Sequence, residues 1–84
     1  ALAGCAVGSA VMGMRPIAEI MYIDFITIAM DQMINHAAKY HQLSNGTVNV
    51  PVVFRTQGGV GMRNSSQHSQ SLENRFVNVP GLIT

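Results

Sequence analysis

Arg15-Pro16-Ile17-Ala18-Glu19-Ile20-Met21-Tyr22-Ile23-Asp24-Phe25 decides how this chain folds, because its conformational habit changes twice within a short space. Proline pushes the residue before it toward extended geometry, so Arg15-Pro16 closes any helix that precedes it. Ile17 to Met21 is then an extended run, apolar apart from Glu19, and reads as a strand. Asp24 follows as a candidate cap, since a carboxylate oxygen can accept from the unpaired N–H groups of a first helical turn. The predicted helix runs from about Phe25 to Tyr40. Ile26, Met30, Ile34 and Ala37 mark one apolar stripe along it, and Phe25, Ile28 and Met33 mark another. Apolar residues on several sides predict burial.

Working outward, Leu2 to Gly13 reads as a helix of small residues that ends at Gly13. Gly4, Gly8 and Gly13 alternate with Ala3, Ala6, Ser9 and Ala10, which predicts a buried helix whose thin side admits another backbone. The segment is too short to cross a bilayer and has no basic lead-in, so neither a membrane span nor a signal peptide is expected. Cys5 is the only cysteine. It excludes a disulfide within the chain, favours a reducing compartment and reads as a small packing residue.

Downstream, Ser44-Asn45-Gly46 is a turn, and Val50-Pro51-Val52-Val53-Phe54 suits a strand buried on both faces. Gly58-Gly59-Val60-Gly61 makes a flexible connection. Ser69 or Ser71 can cap a short helix toward Phe76, and Val79-Pro80-Gly81 turns the chain into a last strand at Leu82. The order helix, strand, helix, strand, helix, strand predicts an α/β fold, a partial parallel sheet with flanking helices.

Composition bounds the function classes. Only 11% of the 84 residues are charged, against about a quarter in an ordinary soluble domain, so much of the surface is expected to lie against other protein. Ala1 is not an initiator methionine and Ile83-Thr84 stops in an apolar run, which leads to the expectation that residues 1–84 are a fragment of a single domain. The net charge of +1, and the dispersal of Arg15, Arg55, Arg63 and Arg75 without interleaved aromatics, give no support to nucleic-acid or anionic-membrane binding.

Ligands of parallel sheets sit beyond the carboxyl ends of the strands, in the loops that lead into helices. Met21 to Phe25 is one such loop and Gln57 to His68 is the other. Phe25 at the mouth of a cleft could stack on a flat heterocycle, and on residue type alone ordinary core packing is the favoured account. An unperturbed imidazole changes charge near neutral pH, so a loop histidine such as His68 could move a proton or donate to a developing oxyanion; most loop histidines do neither. His36 and His41 fall near the end of the long helix, where its dipole explains them, and they lack the i, i+4 spacing of a metal pair. The glycines of Gly58 to Gly61 fit neither a Walker loop nor a dinucleotide fingerprint. Ser69 beside His68 lacks the Gly-x-Ser-x-Gly elbow of a hydrolase. Arg63 would meet an anionic substrate or simply be solvated.

Taken in order, Gly8 to Pro16, Ala18-Glu19-Ile20-Met21, Asp31-Gln32-Met33-Ile34-Asn35, Ala37-Ala38-Lys39-Tyr40, Pro51-Val52-Val53-Phe54-Arg55 and Gln67-His68-Ser69-Gln70-Ser71-Leu72-Glu73 are collinear with a known pattern. The chain resembles the beta subunit of the decarboxylating component of 2-oxo acid dehydrogenase complexes. That resemblance implies the transketolase-like, thiamine diphosphate-binding pyrimidine-binding fold, truncated here. It implies that Phe25 packs against the aminopyrimidine ring of thiamine diphosphate, that Met21 lies close to that ring, and that His68 faces substrate and intermediates. The implied chemistry is decarboxylation of a small 2-oxo acid, with transfer of the acyl group to a lipoyl arm on a separate acyltransferase. Implied partners are an alpha subunit, which holds the diphosphate and its magnesium, and a second beta subunit. The family's coenzyme-activating glutamate falls upstream of Ala1, so no metal motif and no such carboxylate is expected here. The compartment would be cytoplasm in a bacterium, and mitochondrial matrix or plastid in a eukaryote.

Two departures stand out. Asn78 replaces a histidine common in the family before the Pro-Gly turn, and Gly61-Met62-Arg63-Asn64 varies the loop ahead of His68. Pyruvate, branched-chain 2-oxo acids and acetoin all remain candidate substrates. The competing reading is a non-enzymatic subunit-interaction module that keeps the fold and uses Gly4 to Gly13 as its contact. The enzyme reading makes one spatial demand: Phe25 and His68, on separate turns, must converge.

Overall fold

Two short runs on either side of a long helical crossover pair as parallel strands in the computed structural model, which describes residues 1–84. β1 (Ile17–Met21) and β2 (Val53–Gln57) run in register from Ile17 opposite Val53 to Met21 opposite Gln57. Thr56 adds a side-chain bond, its hydroxyl donating to the Ile20 carbonyl at 2.6 Å. β2 starts later than the β-branched run that predicts it. Pro51 has no N–H to give, the Val52 N–H turns back to the Val50 carbonyl at 2.8 Å, and the first cross-strand bond comes from Val53 to Pro16, at 3.0 Å.

Burial of that strand on both faces is not what the structure shows. Val53 is 54% exposed, because a two-stranded sheet leaves both strands as edges. Nor does the chain end in a third strand. Leu82 bonds back to the Val79 carbonyl in a turn and packs against the core, while Lys39 Nζ donates to Pro80 O at 2.7 Å. Gly81, at φ +98°, lies so close to Ala38 that a Cβ there would collide with its carbonyl.

α1 (Leu2–Val11) ends as its glycine predicts. Gly13 takes the left-handed conformation, its N–H bonds Ala10 O, and Met14 N–H bonds Ser9 O, each at 3.0 Å, which satisfies carbonyls the helix would otherwise strand. Ala3, Ala6, Val7 and Ala10 are the buried face, laid against the crossover. The thin side behaves differently from expectation: Gly4 meets the Gln32 side chain rather than a backbone, Gly8 has nothing within 4 Å, and Cys5 is exposed rather than packed.

The crossover is not one regular helix. Ile23–Ala29 is a 3₁₀ helix, Gln32–Ala37 is a π-helical turn, and only Tyr40–Leu43 (α2) is α-helical at the far end. In a 3₁₀ helix every third side chain eclipses, so Ile23, Ile26 and Ala29 share the inward face. Phe25 and Ile28 share another, and Ile28 is 83% exposed. The second of the two predicted stripes is therefore split, with only Met33 inside. Asp24 does not cap this element through its side chain. The last helix, α3 (Asn74–Val77), also lacks a side-chain cap; Ser69 is committed elsewhere, its Oγ accepting the Asn64 N–H at 2.7 Å.

Ile23, Ile26, Met33 and Phe76 form the core, flanked by Ile20, Met30, Ile34, Phe54, Leu72 and Leu82. It is thin. Only 11 of 84 residues are buried, and the radius of gyration of 13.4 Å exceeds the roughly 12 Å of a compact chain this long. No helix is long and apolar enough to cross a membrane.

Candidate functional site

Both strands point their carboxyl ends the same way, so the turn after β1 and the glycine loop after β2 open side by side. The tight turn that begins at Tyr22, with Phe25 N–H bonded to Tyr22 O at 3.0 Å, puts residues three apart over one another. Tyr22 and Phe25 thus present two rings in the same direction. His68 meets both. Its ring centroid lies 5.2 Å from that of Phe25 and 5.3 Å from that of Tyr22, with interplanar angles of 75° and 74°. These are edge-to-face contacts of the kind aromatic quadrupoles favour.

Phe25 keeps 38% of its surface open, and His68 is half-buried. The ring is therefore neither sealed in core nor free of the imidazole. Met21 occupies the last position of β1, opposite Gln57, and is 62% exposed on the outward face it shares with Ile17 and Glu19. It stands at the rim beside Tyr22, and the ring cluster is built without it.

The imidazole has one nitrogen engaged. His68 Nδ1 lies 3.3 Å from Ser65 Oγ, which also accepts the Gln67 N–H at 3.3 Å. Nε2 makes no hydrogen bond within the chain and is the atom able to exchange a proton with something arriving from outside. Two left-handed residues, Arg63 at φ 49° and Ser65 at φ 64°, bend the segment back toward the strands. Arg63 is exposed and in no ion pair.

Asp24 stands between Tyr22 and Phe25 in the chain and is buried to 7% exposure. Its Oδ1 accepts from Gln70 twice, from Nε2 at 2.8 Å and from the backbone N–H at 3.2 Å. Gln70 O accepts in turn from Gly59 N–H at 2.9 Å. The two loops and the turn are thereby knotted at one residue. A Cβ on Gly58 would collide with Ile23 Cγ2 and lie 2.8 Å from Gln70 O, so only glycine lets the loop leave β2 this close.

His36 and His41 are elsewhere, and no three His, Cys, Asp or Glu side chains gather as a metal site. Asn78 lines a shallow depression with Met30, Ser71, Leu72, Asn74 and Arg75, beside α3 and apart from the rings.

The family model described as transketolase, pyrimidine binding domain, matches residues 1–84. This chain belongs to that family. The chain is 48% identical over 82 residues to the acetoin:2,6-dichlorophenolindophenol oxidoreductase subunit beta of Cupriavidus necator, a match that covers 98% of this chain and 24% of that protein. It is 46% identical over 82 residues to the 2-oxoisovalerate dehydrogenase subunit beta of Bacillus subtilis, covering 98% of this chain and 25% of the relative. The pyruvate dehydrogenase E1 component subunit beta of Rickettsia bellii is 46% identical over 80 residues, 95% of this chain and 25% of that one. The chain spans about a quarter of the length of these curated relatives.

Sequence reasoning brought Phe25 and His68 to one place and missed two of their neighbours. Tyr22 was legible in principle, since three-residue spacing from Phe25 aligns the pair in a tight turn. The Asp24–Gln70 tie had no such signal, because its partners are 46 residues apart.

Proposed function

We propose that this chain is part of the pyrimidine-binding domain of a beta subunit of a thiamine diphosphate-dependent 2-oxo acid dehydrogenase, working in an assembly with an alpha subunit and a second beta subunit. The observation that carries the reading is the approach of Phe25 and His68 to 5.2 Å beyond the carboxyl ends of two parallel strands. The names of the relatives support the substrate class proposed: pyruvate, a branched-chain 2-oxo acid, or acetoin.

The residues fit the coenzyme. A flat heterocycle needs an apolar surface it can reach, and Phe25 and Met21 offer partly open side chains on the same strand end. When bound, thiamine diphosphate supplies the carbanion-stabilising centre at which a 2-oxo acid can lose carbon dioxide. This chain's part is to hold and orient. Phe25 holds the aminopyrimidine, Met21 borders it, and His68 Nε2 donates to or protonates the oxygen that gains charge on the substrate carbon. Tyr22 and Phe25 fix the imidazole plane, while Ser65 occupies Nδ1 and leaves Nε2 for the substrate. The diphosphate with its magnesium, and the lipoyl acyltransferase that takes the acyl group, are assigned to partner subunits. The compartment follows the source: cytoplasm for a bacterial chain, matrix or plastid for a eukaryotic one.

The test uses the full-length chain assembled with its alpha subunit. Phe25→Ala should weaken thiamine diphosphate binding by about 2- to 12-fold, the range of one aromatic contact. His68→Ala should leave that affinity nearly intact and lower kcat steeply. Unchanged affinity in the first variant removes the stacking role, and unchanged kcat in the second removes the histidine from the mechanism.

A further inference from the structure

Asp24 has no role in the reading above, yet it is the one buried charged residue in the chain. A carboxylate is kept from water only where something compensates it. Here the compensation comes wholly from Gln70, 46 residues away, through its side-chain amide and its backbone N–H on the same oxygen, Oδ1. The second oxygen, Oδ2, is buried and has no partner. Asp24 does not cap the helix it begins, although its position invites that use.

Position gives this tie its meaning. Asp24 lies between Tyr22 and Phe25, the two rings that grip His68, and Gln70 lies two residues beyond His68. The link therefore joins the segment that carries the imidazole to the turn that carries the rings. Gly59 N–H on Gln70 O adds the glycine loop to the same point. Edge-to-face ring contacts alone hold loosely, whereas two hydrogen bonds converging on one carboxyl oxygen are directional.

We infer that Asp24 is a positioning residue: through Gln70 it locks the His68 segment against the Tyr22–Phe25 turn and so sets where Nε2 points. The consequence for turnover rests on the proposed role of His68; the lock itself does not.

The experiment follows Asp24→Ala, Asp24→Asn and Gln70→Ala in the full-length chain assembled with its alpha subunit, with His68→Ala alongside. Amide hydrogen exchange is read over residues 64–72 and, as a control, over α1; kcat, KM and thiamine diphosphate affinity are read on the same samples. Asp24→Ala should speed exchange in residues 64–72 by about tenfold or more and leave α1 unchanged. It should lower kcat by roughly 10- to 100-fold, the cost of misplacing a reacting group by about 1 Å, with coenzyme affinity within about threefold. Gln70→Ala, whose side chain is exposed and whose loss threatens folding least, should do the same to a smaller degree. Asp24→Asn keeps the acceptor oxygen and should recover most of both effects. Unchanged exchange over residues 64–72 in Asp24→Ala and Gln70→Ala overturns the inference, as does equal acceleration everywhere, or an asparagine variant no better than alanine. If His68→Ala turns over normally while Asp24→Ala still frees residues 64–72, the lock stands and the proposed role of His68 falls.

Discussion

His36 and His68 each meet an aromatic ring edge-on at nearly the same distance, 5.3 Å from Tyr40 in one case and 5.2 Å from Phe25 in the other. Their nitrogens separate them. His36 has both engaged, Nδ1 with Tyr40 Oη at 2.8 Å and Nε2 with Asp31 Oδ2 at 3.2 Å, whereas His68 has only Nδ1 engaged, with Ser65 Oγ. An imidazole whose hydrogen bonds are all made inside the chain is a structural strut. One with a nitrogen left over, at the open end of a parallel sheet, can act on something else. The role proposed for His68 thus rests on a spare nitrogen placed at the strand ends, since His41, with Nδ1 on Val48 O, also leaves a nitrogen free but on α2.

The largest expected effect breaks that comparison most directly. In the assembled full-length protein, His68→Ala should lower kcat by about 10²- to 10⁴-fold, the range of one lost proton-transfer group, while His36→Ala leaves kcat within about twofold. Steady-state turnover of both variants on a 2-oxo acid checks it. Equal losses would mean that the free nitrogen does not distinguish the two sites.

Next in size is the backbone that lets the His68 site form. Gly58→Ala puts a methyl group into Ile23 Cγ2 and beside Gln70 O, so either Ile23 leaves its core position or the glycine loop moves off β2. Overpacking of this kind costs about 1–3 kcal/mol. Chemical denaturation should show a loss of that order, together with faster amide exchange over residues 64–72. Gly8→Ala is the matched control, since its Cβ meets nothing within 4 Å, and within a helix it should be neutral or slightly stabilising.

What the sequence made legible follows the range over which each signal acts. The turn at Ser44-Asn45-Gly46, the end of α1 at Gly13 and the β1 run are set by residues within one or two turns of each other, and all three are where the residues predict them. The regularity of the crossover was not legible. Ile23, Ile26, Thr27 and Ile28 crowd an α-helix at χ1, and Asp24 is claimed by a partner 46 residues away, so neither propensity nor capping operates there as a local rule. The error in β2 has another cause: its residues suit a strand covered on both faces, and within this chain only the Phe54 face meets the core, which leaves Val53, and Ile17 opposite it on β1, exposed. The same bareness extends to Met12, Ile28 and Val60, each 83% exposed. Phe25 and His68 come together because strand ends direct their loops to one place, a rule of topology rather than of contact, while the roles proposed for them rest on the resemblance to the family.

A smaller effect sharpens the strut side of the comparison. Tyr40→Phe keeps the edge-on ring and deletes the hydroxyl that meets His36 Nδ1, at a cost of about 0.5–1.5 kcal/mol for a half-buried hydrogen bond. Denaturation midpoints should fall accordingly, and kcat of the assembled protein should not change. A fall in kcat would connect the far end of the crossover to the site in a way the contacts do not provide.

The smallest effect lies at Asp31, the other partner of His36. Its carboxyl is held below the ordinary value of 3.8, first by the Asn35 side-chain amide at 2.9 Å, then by the His36 imidazole and the Gln32 amide, against an opposing contribution from desolvation. A carboxyl whose folded-state pKa is depressed contributes stability that is fully present above its unfolded value and is lost as pH falls through the folded one. Because Asp31 is exposed, water screens most of that contribution. Carbon-detected titration of the Asp31 carboxyl should give a midpoint below 3.8, moving back toward 3.8 in Asn35→Ala, which removes the largest single cause, and also in His36→Ala, which removes both contributions of the imidazole. His68 has no carboxylate within its hydrogen-bonding shell, so no carboxyl titration should follow its removal. If Asp31 titrates at its ordinary value, the imidazole of His36 is not held by it, and the two histidines differ by less than their geometry implies.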